Sequence, residues 1–235
     1  MCQSTDVVQL RFLILSFVSL WLVSCSSSSS IPSSTSHSRA VPQSTDKLPL
    51  GLTVKKMIIP KGTNGRHRTR SMRPRYITIH STQNRARSAN AYSHAKGLYN
   101  GNFKATHNSL GYLTWHFTID QSNIYQSLPT NEQGQHADYE GVGNRASIGI
   151  EMCENRGNSR SRTVDRTARL TAVLMKKHGI WINNVVPHQH WRMRRHSDGR
   201  DLGHKNCPHF LMTNGKPGAK WRQFQAKVMS YYRQL

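Results

Sequence analysis

Three side chains that bind soft metal ions stand at the ends of short apolar runs in this chain. Tyr76-Ile77-Thr78-Ile79 ends in His80, Val185-Val186-Pro187 ends in His188, and Lys205-Asn206-Cys207-Pro208 presents a thiol on a loop. Two imidazoles and a thiolate form a set that suits zinc, with the fourth coordination position left to water. Such an ion lowers the pKa of bound water towards about 7 and so makes a nucleophile at neutral pH. Glu151 is placed to act as the general base. Lys205, two residues before Cys207, is placed to stabilise an oxyanion. The competing readings are an inward carboxylate paired with a basic residue for Glu151 and a solvated lysine for Lys205. With 13 histidines in the chain, most must be structural or surface groups, and position is what singles these out.

The elements that must hold these groups read as alternating strands and helices. Tyr76–His80 is β-branched and alternating, a buried strand. Trp115–Asp120 is a second strand. Gln121–Asn123 makes a turn, and Ile124–Gln126 returns as its hairpin partner. In Ile148–Cys153, Ile148, Ile150 and Met152 fall on one face, and Gly149, Glu151 and Cys153 on the other. Helices are expected over Ser88–Tyr99 with Ser88 as N-cap, over Thr163–His178 with Gly179 as its stop, and over 217 or 218 to Tyr232. Ile180–Val186 forms a last strand leading into His188. The expected class is α/β, a central mixed β-sheet flanked by helices in a single catalytic domain.

The chain carries 33 Lys and Arg against 11 Asp and Glu, a net charge of +22. Such a charge predicts a polyanionic neighbour and says nothing about fold. Arg68, Arg70, Arg73 and Arg75 crowd the basic loop 62–75 together with Arg66 and His67, which reads as a solvated face or as a surface for an anionic partner. A nucleic-acid partner is disfavoured, because the basic residues lack an interleaved aromatic platform. It is disfavoured also by the N-terminus, where Arg11 precedes the apolar run Phe12–Val23, too short to span a bilayer comfortably and suited to a secretory signal. The run ends Leu22-Val23-Ser24-Cys25, which resembles a bacterial lipobox. Cys25 is therefore expected to carry lipid, giving an exported protein anchored to an envelope membrane rather than spanning it. The division expected is a signal peptide over 1–25, a Ser/Pro-rich flexible tether over 26–55 and a catalytic domain over 56–235. Cys153 reads as a buried thiol; a Cys153–Cys207 disulfide is its rival and would remove a ligand.

Taken together, Ile77–His80, Trp115–Asp120, His136-Ala137, Gly143–Glu151, Val186-Pro187-His188 and Lys205–Pro208 resemble the zinc-dependent N-acetylmuramoyl-L-alanine amidases of the type-2 amidase family, related to peptidoglycan-recognition proteins and phage lysozyme-like amidases. The resemblance runs over about residues 56–215 in the family's order. It implies one Zn2+, peptidoglycan as partner, and hydrolysis of the amide between the lactyl group of N-acetylmuramic acid and L-alanine. Position by position it implies His80, His188 and Cys207 as ligands, and Glu151 and Lys205 as catalytic groups. It puts Trp115, His116 and His136 along the cleft as substrate-binding residues, with orientation of a metal ligand as the other role open to His116 and His136. Trp115 stands where some relatives have a catalytic-site tyrosine. The gap 189–206 is longer than in many relatives, and His196 within it competes with His188 as second ligand. A non-catalytic, peptidoglycan-binding recognition module is the other function class, and a monomer is expected in either case.

Overall fold

The computed structural model describes residues 44–106 and 108–235. Its centre is a seven-stranded sheet. In chain order the strands are β1 (Ser44–Leu48), β2 (Leu52–Lys56), β3 (Tyr76–Ser81), β4 (Phe117–Ile119), β5 (Ile124–Gln126), β6 (Ser147–Met152) and β7 (Val185–Pro187). In space they lie in the order β1-β2-β5-β4-β6-β3-β7. The pairs β1·β2 and β4·β5 are antiparallel, while β2·β5, β4·β6, β3·β6 and β3·β7 are parallel, so the sheet is mixed as expected.

The period-two alternation of the central strands sorts their side chains onto two faces. Ile77, Ile79, Ile148, Ile150 and Met152 join one continuous apolar core. Two helices cover it: α3 (Arg160–His178) through Ala168, Ala172 and Met175, and α4 (Ala219–Tyr232) through Trp221, Phe224 and Val228. The helix α3 begins three residues earlier than the apolar pattern suggests, because the Ser159 hydroxyl caps it by accepting from Arg162 N. It stops at Gly179, whose φ of +64° is left-handed. On the other face lies α1 (Ala91–Tyr99), packed against Met57 and Tyr125. Its N-cap is Asn90, which accepts from Ser93 N at 2.9 Å, rather than Ser88. A five-residue helix, α2 (Val142–Ala146), leads directly into β6.

The boundary expected at residue 55 lies at least twelve residues too late. Ser44–Lys56 is a hairpin built into the sheet through the pairing of β2 with β5, and Leu52 and Val54 are each 2% exposed. Burial of these two alternating side chains against α3 orders a segment that its Ser/Pro-rich approach makes look like linker. Cys25, the signal-like run and the rest of the tether lie outside the described residues. Within the basic segment 189–206, β8 (Arg192–Arg194) and β9 (Asp201–His204) form a separate antiparallel hairpin. No helix among the described residues is long and apolar enough to cross a membrane.

Candidate metal centre

Parallel strands deliver their C-terminal ends to one edge of a sheet, where side chains can converge. Here β3 ends with His80, β6 carries Glu151 near its end, and β7 runs straight into His188. Cys207 arrives from the loop after β9. The candidate ligand atoms of His80, His188 and Cys207 all lie within 4.8 Å of one another, and all three residues are buried. His196 is not among them; its exposed ring stacks on Tyr139 with centroids 5.2 Å apart. Cys153 and Cys207 are both free thiols, so the disulfide does not form.

The hydrogen bonds around the two imidazoles dictate which nitrogens can bind a cation. A carbonyl oxygen only accepts, so His188 Nε2 must donate to Ala137 O at 2.9 Å, leaving Nδ1 as a lone pair. Similarly, His136 Nε2 donates to Ser147 O at 3.3 Å, so its Nδ1 accepts from His80 Nε2 at 3.0 Å. That in turn leaves His80 Nδ1 as a lone pair. The two lone pairs face each other at 3.0 Å, a contact with no proton to share. Neither ring offers an easy way out by charging. Burial, then the charges of His188, His136 and Lys205, hold His80 well below the usual histidine range. Burial and Lys205 bring His188 down to about 4. A cation resolves the clash: nitrogens bound tetrahedrally at about 2.0–2.1 Å lie about 3.3–3.4 Å apart. Burial pushes the Cys207 thiol up to about 12, so a thiolate there at neutral pH needs a cation as well. The donor set therefore fits zinc.

The carboxylate stands beside this group. His80 and Glu151 are register partners on β3 and β6, with Glu151 Oε1 3.9 Å from His80 Nδ1. Glu151 Oε2 is buried with no hydrogen-bond partner. Burial raises its carboxyl to about 8 against the opposing pull of the Lys205 ammonium. These groups open onto a cavity of about 350 Å³, lined among others by His136, Glu151, His188 and Lys205. Met193, Arg194 and Leu202 of the β8–β9 hairpin form part of its wall.

The three residues expected along the cleft divide. His136 lines the cavity and orients His80. Trp115 reaches the lining but is 5% exposed, packs with Ile59, Leu98 and Leu128, and donates from Nε1 to Thr118 Oγ1. His116 is not at the cleft. It is fully buried, donates from Nε2 to Glu132 O at 2.8 Å and accepts at Nδ1 from Gly149 N at 3.0 Å. Both ring nitrogens are consumed in tying β6 to the 130s loop. The same loop is clamped by Arg66, which is buried rather than solvated and grips the Glu132 carboxylate with Nε and Nη2.

Two further residues hold the centre without having been singled out for it. Asn144 Oδ1 accepts from the backbone N–H groups of His136 and Ala137, both at 2.8 Å, and so places both His136 and the carbonyl that orients His188. Gly149 makes room for His136: a Cβ there would lie 2.8 Å from two carbons of its ring. The sequence signal for both is their place in the segment Gly143–Glu151.

A family model described as N-acetylmuramoyl-L-alanine amidase matches residues 70–210. Two Bacillus subtilis proteins named N-acetylmuramoyl-L-alanine amidase are similar. XlyA is 39% identical over 171 residues, covering 72% of this chain and 49% of its own length. CwlH is 42% identical over 181 residues, covering 76% of this chain and 62% of its own length. The chain thus spans about half to three fifths of these relatives. Among solved structures, the catalytic domain of XlyA superposes with a TM-score of 0.61 at 38% identity, covering 75% of this chain and 99% of that one. A mutant endolysin from Bacillus subtilis gives 0.61 at 40% identity, covering 74% and 97%. Its mixed sheet, its paired strands β3 and β6 and its His-His-Cys cluster agree with these matches, and the chain belongs to the N-acetylmuramoyl-L-alanine amidase family.

Proposed function

We propose that this chain hydrolyses the amide bond joining the lactyl group of N-acetylmuramic acid to the L-alanine of peptidoglycan stem peptides, with Zn2+ held by His80, His188 and Cys207. The observation that carries the reading is the pair of lone-pair nitrogens, His80 Nδ1 and His188 Nδ1, facing each other at 3.0 Å beside a buried carboxyl. A zinc ion bound there supplies Lewis acidity towards a carbonyl oxygen and makes water acidic enough to lose a proton near neutral pH.

The chain's own residues then divide the work. Glu151 takes a proton from the attacking water and passes it to the departing alanine nitrogen. A carboxyl raised by burial and lowered by Lys205 can both take and release a proton near neutrality. The Lys205 ammonium stabilises negative charge as it develops on the lactyl carbonyl oxygen. His136 keeps His80 in the tautomer that leaves Nδ1 bare. The C–N bond breaks, and the products are a lactyl carboxylate and a stem peptide with a free amino group.

The same proposal takes the protein to be exported, lipid-anchored through Cys25 and active as a monomer. The apolar run Phe12–Val23 ahead of Cys25, and a candidate centre furnished by one chain, support this. The test is mass spectrometry of purified peptidoglycan fragments incubated with the protein, with zinc and with a chelator. Zinc-dependent release of stem peptides beginning in L-alanine is expected. Fragments that remain bound yet intact would leave a recognition module instead.

A further inference from the structure

The face of the sheet opposite the metal centre carries a second cavity, of about 380 Å³, between α3, α4 and the β4–β5 turn. Its volume falls within the roughly 300–1,000 Å³ of small-ligand sites. Four cations line it: Arg162, Arg166 and Arg169, at i, i+4 and i+7 on α3, and Lys227 on α4. Asp165 is the single acid in the lining, so the cavity holds a net charge of +3. Asp165 is already engaged: it accepts from Arg169 Nη2 at 2.7 Å, from Lys227 Nζ at 3.3 Å and from Tyr231 Oη at 2.6 Å. It thereby fixes two of the cations in place and leaves the other two without a carboxylate.

This charge is partly held in place and partly left open to a ligand. The Nε atoms of Arg166 and Arg169 are buried and lack a hydrogen-bond partner, a costly condition for a guanidinium. Arg166 Nη2 is turned onto the backbone, donating to Gln121 O at 3.0 Å, and Arg169 lies over the Tyr231 ring at 5.2 Å, so both are held in place. The side chain of Arg162 makes no hydrogen bond or ion pair among the described residues. Finally, α3 opens with Arg160 and Arg162 and has no acid in its first turn, so cations sit at the positive end of the helix dipole. An anion in the cavity would meet the open Arg162 side chain and the positive end of α3.

We infer that this cavity is a binding site for a phosphodiester anion, distinct from the metal centre and separated from it by the thickness of the sheet. Planar guanidinium groups match the paired oxygens of a phosphate, and the helix N-terminus adds to the attraction. The cavity is roomier than a bare phosphate needs, which leaves space for an organic substituent. The ligand can reach it as a unit of a soluble glycerophosphate polymer or as the headgroup of an anionic lipid.

The test is binding of the full chain to glycerophosphoglycerol, to poly(glycerol phosphate) and to phosphatidylglycerol vesicles, by calorimetry for the first two and co-sedimentation for the third. Arg162→Gln/Arg166→Gln is expected to weaken binding about tenfold or more while leaving the melting transition and amide release in place. Should that variant lose its melting transition, Arg162→Glu, on an exposed side chain, carries the same expectation. Loss of binding to the soluble probes identifies a polymer as the source, and loss confined to vesicles identifies a lipid. Absence of binding to all three probes, or equal binding by wild type and variant, overturns the inference.

Discussion

His80 and Glu151 are cross-strand register partners on the parallel pair β3 and β6, and both project to the face opposite the main apolar core. One pairing thus brings a candidate metal ligand and a candidate proton carrier to the same patch. A slip of one residue in that register would send one of them into the isoleucine layer.

Replacing the carboxyl while keeping its shape separates the two roles. Glu151→Gln is expected to bind zinc and fold as the wild type does, yet lose turnover about 10²–10⁴-fold. Metal content and the rate of alanine-peptide release, measured on one sample, check this. A loss below tenfold would mean that another group moves the proton.

Removing a ligand should act on both quantities at once. Cys207→Ala is expected to lose zinc and amide release together, and chelation of the wild type should reproduce the loss reversibly. Full activity in Cys207→Ala would sink the metal assignment.

The histidine relay predicts a milder, graded effect. His136→Leu removes the acceptor for His80 Nε2 and should weaken zinc about 10–100-fold in competition with a chromophoric chelator. His136→Gln, which retains an acceptor, should recover much of it. Gly149→Ala pushes a methyl group against the same ring and should weaken zinc while costing about 1–3 kcal/mol of stability.

A pH dependence of stability follows from His116. Burial, opposed by its bond to the Glu132 carbonyl, brings its pKa from 6.5 to about 4. Between those values the unfolded chain binds a proton that the folded chain refuses, so stability rises with pH across the window. The contribution is complete above about 6.5 and gone below about 4, up to about 3 kcal/mol in all. Urea titrations from pH 4 to 7 should show a shallower slope in His116→Gln. An unchanged slope would mean that other buried groups dominate.

Much of this site could be read in the sequence because each ligand ends an apolar run. Ile77–His80 and Val185–His188 are strands by composition, and the ends of parallel strands gather at one edge. What escaped reading depends on contacts distant in the chain. His116 looks like His80, since both follow or precede strand residues, and only the Glu132 carbonyl and Gly149 N–H at its two nitrogens make it structural. Arg66 lies in a run of arginines and owes its burial to a carboxylate 66 residues away. The β1–β2 hairpin was hidden by its Ser/Pro-rich approach, although Leu52 and Val54 alternate as a strand should. The far-side cavity needs α4 to bring Lys227 against α3, which no local pattern specifies.

The hairpin at the sheet's edge also has a mechanical consequence. Ser44 pairs with Lys56, so a pull on the chain ahead of Ser44 meets the open end of the β1–β2 ladder and peels it one residue pair at a time. Strands β3, β6 and β7, which carry or lead into the candidate centre, lie at the opposite edge, beyond β2, β5 and β4. Under tension the first element to yield is therefore the one farthest from the candidate chemistry, and the domain can lengthen without opening its centre.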